Sequence, residues 1–285
     1  MGRTPGPPPL SGHRSHCRLH HVQAEGRMSV LTSEWLKVRS VRSSYLIVGI
    51  SLGTILLGLA LASMAAGMYD NASAEQRASA RVADLEEVLV IVPQLCMGVL
   101  GTLVITSEYT TGLIRTSLTV VPRRWPILAA KAAVVAVVSL VVGPIAVFGT
   151  YFVSRGVLGD RFSGTYLVPF AAKLPFLLVT GLTVTVFALL GLGLGALLRS
   201  AAGAITLLVG LVYVIPMIVG NIPEPWSERL GSVMIGALAR EITGDLITTS
   251  VYGSLLSPPA AVAVSVAYAV LPLLAAVWLI RRRDA

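Results

Sequence analysis

"YLIVGISLGTILLGLALASMAAG" occupies residues 45–67. It runs for 23 residues without a charged side chain. A helix needs about 20 mostly apolar residues to cross the hydrocarbon core of a bilayer. Five further stretches meet that requirement: roughly 88–106, 127–153, 169–198, 201–220 and 259–280. The fourth is long enough to tilt, or to break near Pro175. The runs are continuous, whereas barrel strands alternate, so the spans are helices. Their content of Gly, Ala, Ser and Thr, as in "GLGLGALL" (191–198), allows close helix packing.

Composition agrees with this reading. The 285 residues are 55% hydrophobic and 13% charged, and mean hydropathy is +0.80. A soluble domain carries about twice that charge. The fold class is therefore an all-α polytopic membrane protein with six transmembrane helices. A net charge of +8 does not point to nucleic acid, because the charges fall in short loops and form no basic face. Cys17 and Cys96 make no disulfide framework.

Residues 1–27, "MGRTPGPPPLSGHRSHCRLHHVQAEGR", hold no apolar run. The expectation is a disordered tail, or a start of translation at Met28, with the six-helix transmembrane domain at 28–285. His13, His16, His20, His21 and Cys17 lie here, but their spacing fits no zinc template. No metal or other cofactor is expected on this chain.

Lys and Arg near span ends set orientation. With the N-terminus inside, eleven cations beyond the tail face the cytoplasm and seven face out. Ten of the fourteen acids, Asp70 to Asp245, fall outside. The expected location is the cytoplasmic membrane, with both termini inside.

The spans are informative for what they lack. With these boundaries no carboxylate lies within any of the six. Lys131 and Lys173 lie near span ends, where a long side chain can snorkel to water. An ion-coupled transporter needs an ionisable group at depth, so that alternative is weakened. An intramembrane hydrolase is weakened too, since every histidine is in the tail. The sequence has no Gly-Lys dipeptide and hence no P-loop. Energy for any transport must come from a partner, and the chain itself is not expected to be an enzyme.

Two charged interruptions remain. "MSVLTSEWLKVRSVRSSY" (28–45) places Val30, Leu31, Trp35, Val38 and Val41 roughly along one side, with Lys37, Arg39 and Arg42 off it. Ser33 is positioned to cap, and Glu34 lies at the positive helix end. This predicts an amphipathic helix lying in the membrane interface; the alternative is a plain positive flank. "EYTTGLIRTSL" (108–118), read as a helix, places Glu108, Thr111, Gly112 and Arg115 on one face, charged at both ends and small in the middle. "VPRRWP" (121–126) ends it. Such a face suits close approach by another protein; the alternative is an ordinary loop held at lipid headgroups by its arginines.

"SEWLKVRSVRSSY" before the first span and "TSEYTTGLIRTSLTVVPRRWPILAAK" after the second resemble the permeases of bacterial type-2 ABC exporters. The likeness runs from Met28 to the C-terminus in its six-span layout. It implies an interfacial helix, to which Glu34, Trp35 and Lys37 belong. It also implies a cytoplasmic coupling helix that docks on a separate ATP-binding subunit. By position, the ATPase contacts would be Glu108, Tyr109, Gly112, Arg115, Arg123 and Arg124. The resemblance further implies two permease copies and two P-loop ATPase subunits, with ATP-Mg held by the latter.

The stretch 221–258 contains "WSERLGSVMIGALAREITGDLI", where Leu230, Val233, Met234 and Ala237 line one face of a possible helix; an outer surface loop is the alternative. The other outer loops read as solvated. Thr54, Gln94, Ser139, Thr180 and Thr183 are either cavity-lining or helix-packing groups. The substrate is not legible. A membrane scaffold or sensor that borrows this layout is the main alternative to an export permease.

Overall fold

The computed structural model describes Gly2 and residues 31–110, 125–162, 168–244 and 256–282. Apart from Gly2, the tail expected at 1–27 lies outside the described residues, as do Gly112, Arg115, Arg123 and Arg124. Among the described residues every regular element is helical.

Among the described residues six helices are long and apolar enough to cross a membrane: Arg42–Asp70, Leu85–Tyr109, Pro126–Leu158, Phe170–Leu198, Ala201–Val219 and Pro258–Leu279. Their bounds follow the apolar runs to within a few residues. The first has 29 residues, about 44 Å at a rise of about 1.5 Å per residue. It therefore exceeds the hydrocarbon thickness and must tilt or extend beyond it. The fourth stays one continuous helix through Pro175. The fifth contains a π-helical turn at Gly210–Val214.

The fourth span is the hub. In its most apolar stretch 67% is buried, against 22% in the fifth and sixth, and it packs on the second, third, fifth and sixth. The first span packs on the second and third. Glycine makes the central contact possible. A Cβ on Gly191 would strike the backbone of Gly98, and one on Gly101 the backbone of Ala188. The second and fourth spans thus touch backbone to backbone, as small-residue interfaces allow. Met97, Leu100, Val135, Leu177, Val184 and Ala188 fill the surrounding core. Leu56, Met64, Met217, Leu271 and Leu274 are exposed apolar side chains on the outer spans. In a bilayer such faces meet lipid or a second copy.

The polar groups of the spans are used in packing. Gln94 Nε2 donates to Thr183 Oγ1 at 2.7 Å, and Ser139 Oγ donates to the Val135 carbonyl at 2.8 Å. Thr54 donates to the Ser51 carbonyl at 2.6 Å. All three donors are buried within the chain. Helix packing is thus the reading seen for Thr54, Gln94, Ser139 and Thr183, whereas the buried hydroxyl of Thr180 has no hydrogen-bond partner among the described residues.

The stretch after the fifth span forms two short helices, Trp226–Val233 and Leu238–Thr243. The single helix considered above breaks at Met234, which is extended. Ile235 and Leu238 then turn into the core with Phe187, Leu208 and Ala261. Leu230 and Val233 stay exposed.

Candidate functional site

The site begins with a lysine that cannot reach water. Lys131 lies near the start of the third span and is 1% exposed. A buried ammonium persists only when paired and hydrogen-bonded. Its Nζ lies 2.6 Å from Glu34 Oε2 and 2.7 Å from Glu108 Oε1. It also donates to the Val104 carbonyl at 3.4 Å. Lys37 Nζ completes the cluster, 2.7 Å from Glu34 and 3.0 Å from Glu108. Two carboxylates and two ammoniums alternate, so the net charge is zero.

Each member is placed by simple helix geometry. Residues 31–40 are helical, and Glu34 and Lys37, three apart, share a face. Val104 and Glu108, four apart, share a face of the second span. Lys131 approaches both from the third. Glu34 and Glu108 are themselves almost fully buried. Lys37, outside the spans, has a side chain 47% exposed. Burial pulls its pKa down, but hydrogen bonds and attraction from Glu34 and Glu108 outweigh this and hold it above the ordinary lysine value.

The arrangement corrects one expectation. Lys131 does not snorkel; carboxylates brought in from two other helix ends meet it inside. Lys173 repeats this at the opposite end of the bundle. It is 7% exposed and pairs with Asp84 at 2.8 Å and Glu86 at 2.6 Å. Glu87 next to them pairs with Arg240 of a short helix. The stretch expected to be solvated there is thus partly buried. The second span begins at Leu85 and ends at Tyr109. Glu86, Glu87 and Glu108 therefore belong to it, although the shorter span read from the sequence excluded every acid. All three lie in its terminal turns and none at its middle.

Residues 31–40 form a helix that touches the bundle chiefly through Glu34. Glu34 faces the bundle, while Leu31, Trp35 and Leu36 are exposed on it. Tyr109 follows Glu108 and packs on a core patch with Ile105, Leu128 and Leu192. The Arg199 guanidinium carbon sits 5.4 Å from its ring centroid. Arg199 caps the fourth span in a left-handed conformation, φ 52°.

The structure thus brings together Glu34, Lys37 and Glu108 from among the residues singled out in the sequence, with Trp35 and Tyr109 alongside. It adds Lys131, which sequence reading placed at a span end without a partner. A signal was available: a lysine a turn inside an apolar run needs a carboxylate, and of the fourteen acids only Glu25, Glu34, Glu108 and Asp284 remain on that side. Among the described residues no group of His, Cys, Asp and Glu could hold a metal ion.

Glu108 and Lys131 are also the two stems of the segment 111–124. Their ion pair ties the loop's ends to each other and, through Glu34, to the interfacial helix. A comparison with curated proteins finds no match. The family model described as ABC-2 family transporter protein matches residues 30–217. That stretch contains the interfacial helix, both stems and most of the fifth span. This chain belongs to the ABC-2 family of transporter proteins and is a membrane-spanning permease component of an ABC transporter.

Proposed function

We propose that the chain is the permease of an ATP-driven exporter, coupled to a separate P-loop ATPase through the segment after its second span. The observation that carries this is the buried cluster Glu34–Lys131–Glu108. A topology loop needs no rigid base. Here both stems of one loop are fixed to each other and to an interfacial helix by charges 2.6 to 2.7 Å apart. Such a base would transmit a push on segment 111–124 directly to the second and third spans.

In this reading Glu108 anchors the loop, because its carboxylate is turned inward toward two lysines. Tyr109, Gly112, Arg115, Arg123 and Arg124 supply the contact surface for the ATPase. Glu34, Trp35 and Lys37 hold the interfacial helix between lipid and bundle. ATP-Mg belongs to the partner, since this sequence has no P-loop. Two permease copies and two ATPases would form the complex. The stems face the cytoplasm of a bacterial inner membrane, which agrees with the excess of Lys and Arg on that side.

The test is co-purification with a candidate ATP-binding subunit, followed by ATPase rates in lipid discs. Wild type should bind and alter the ATPase rate. Arg115→Glu with Arg124→Glu should weaken binding while the permease melts as wild type does. If wild type recruits no ATPase, or the reversed loop couples normally, the proposal fails.

A further inference from the structure

We propose that the π turn in the fifth span is a rotary joint, which lets the outer segment Ile215–Val219 turn about its axis while the inner segment Ala201–Val209 stays fixed. The two segments are held differently. In the inner one Ala204 and Leu208 are fully buried, and this half packs on the second and fourth spans. Leu208 fills the space that a side chain on Gly98 would need. The outer segment packs chiefly on its chain neighbours, the π turn itself and the short helix Trp226–Val233. Only the inner half is therefore locked into the bundle.

Pro216 supplies the reason for the turn. In an α-helix each amide donates four residues back, and a proline ring collides with the carbonyl at that position. For Pro216 that is the carbonyl of Val212. The chain widens instead, and the Ile215 amide donates to Gly210, five residues back. This relief has its own cost. The Leu211 carbonyl loses Ile215, its α-helical donor, and the next residue along is Pro216, which has no amide hydrogen. An unpaired carbonyl near the middle of a span is costly. Each frame thus carries a defect the other lacks: a clash in the α form, an open carbonyl in the π form.

A π turn uses one residue more than an α turn to complete its circle. Tightening it advances the outer segment by one residue, about 100° of rotation. Ile215 then takes the place of Pro216, and Ile218 the place of Val219. The sequence accepts either frame. Pro216 and Val219 are the buried pair. Ile215 and Ile218, also three apart, form an equally apolar pair that is exposed. Beyond this segment the chain runs on to Arg240, whose partner Glu87 lies in the first turn of the second span. Rotation at the joint therefore reaches the outer end of the bundle.

The inference does not depend on ATPase coupling, and its test uses the chain alone in lipid discs. With Cys17 and Cys96 replaced by alanine, single cysteines introduced as Val219→Cys or Ile218→Cys are labelled with a membrane-permeant maleimide. In the native background Val219→Cys should react about tenfold to a thousandfold more slowly than Ile218→Cys, as a site opened only in a minor conformer does. Pro216→Ala restores the amide and removes the clash, so it should fix the α frame. Labelling at 219 then rises, labelling at 218 falls, and the melting temperature does not drop. Deleting Tyr213 takes out the extra residue and gives an α-helix with the outer segment in its present orientation. It should abolish the slow labelling at 219 and leave 218 reactive. Complete protection of 219 in the native background overturns the proposal, as does an unchanged order of the two sites in Pro216→Ala. Slow labelling at 219 that survives deletion of Tyr213 overturns it as well, since it would then come from local opening and not from rotation.

Discussion

Replacing Lys131 with methionine keeps the length of the side chain and removes its charge. Lys131 is 1% exposed and holds Glu34 and Glu108, themselves 3% and 6% exposed. After the change both carboxylates stay buried, with only Lys37 to share. Removing one partner from a buried ion pair costs about 3–5 kcal/mol, because the remaining charge is desolvated and unbalanced. Lys37, with a side chain 47% exposed, can offset only part of that cost. The same change at Lys37 should cost about 1 kcal/mol or less, as screened pairs do. The assay is thermal unfolding in lipid discs, followed by the fluorescence of Trp35 and its neighbours. Lys131→Met should melt well below Lys37→Met. Adding Glu108→Gln to Lys131→Met should recover part of the loss, leaving Glu34 paired with Lys37, with a coupling of about 1–3 kcal/mol. If Lys131→Met melts like wild type, or the second change makes matters worse, the cluster does not hold these helices as described.

Other consequences follow from the same contacts. Lys173→Met strands Asp84 and Glu86 at the opposite end and should cost about 3–5 kcal/mol by the same reasoning, measured by the same melt. Gly191→Val drives a side chain into the Gly98 backbone; such overpacking costs about 1–3 kcal/mol or more, and the variant should be poorly recovered from membranes while Gly49→Val, with open space around it, is recovered normally. The raised pKa of Lys37 means its charge stabilises the fold fully below the ordinary lysine value near 10.5, and that contribution fades as pH rises through the higher folded value. Wild type should therefore lose stability relative to Lys37→Met only above about pH 10, and a difference that changes between pH 6 and 9 would contradict this assignment.

The fold was legible because hydrocarbon imposes its own length rule. Each apolar run became a helix, and only the terminal turns differed. At those turns polar residues continue the helix past the hydrocarbon, which hydropathy does not register: Glu86 and Glu108 extend the second span in this way. The "GLGLGALL" run was legible as a packing surface, since only small residues bring backbones into contact. Partners were less legible. Glu34 and Lys131 are 97 residues apart in sequence, and no local pattern pairs them. What could be read was the demand: a charge inside an apolar run must be met by its opposite. The break at Met234 was hidden for a related reason. Periodicity there suits one amphipathic helix, but burying Ile235 and Leu238 in the core requires the chain to turn. The loop residues Gly112, Arg115, Arg123 and Arg124 lie outside the described residues, so their role rests on position and on the anchored stems at either side.

The most direct measurement of the central claim is a site-specific photo-crosslink from Arg115. A photoreactive residue at position 115, and a control at Arg229 in the short helix Trp226–Val233 after the fifth span, would be expressed with the candidate ATP-binding subunit and illuminated in native membranes. The account predicts an adduct between permease and ATPase from position 115 and none from 229. Equal adducts from both positions, or none from 115 in membranes where the two proteins co-purify, would contradict it.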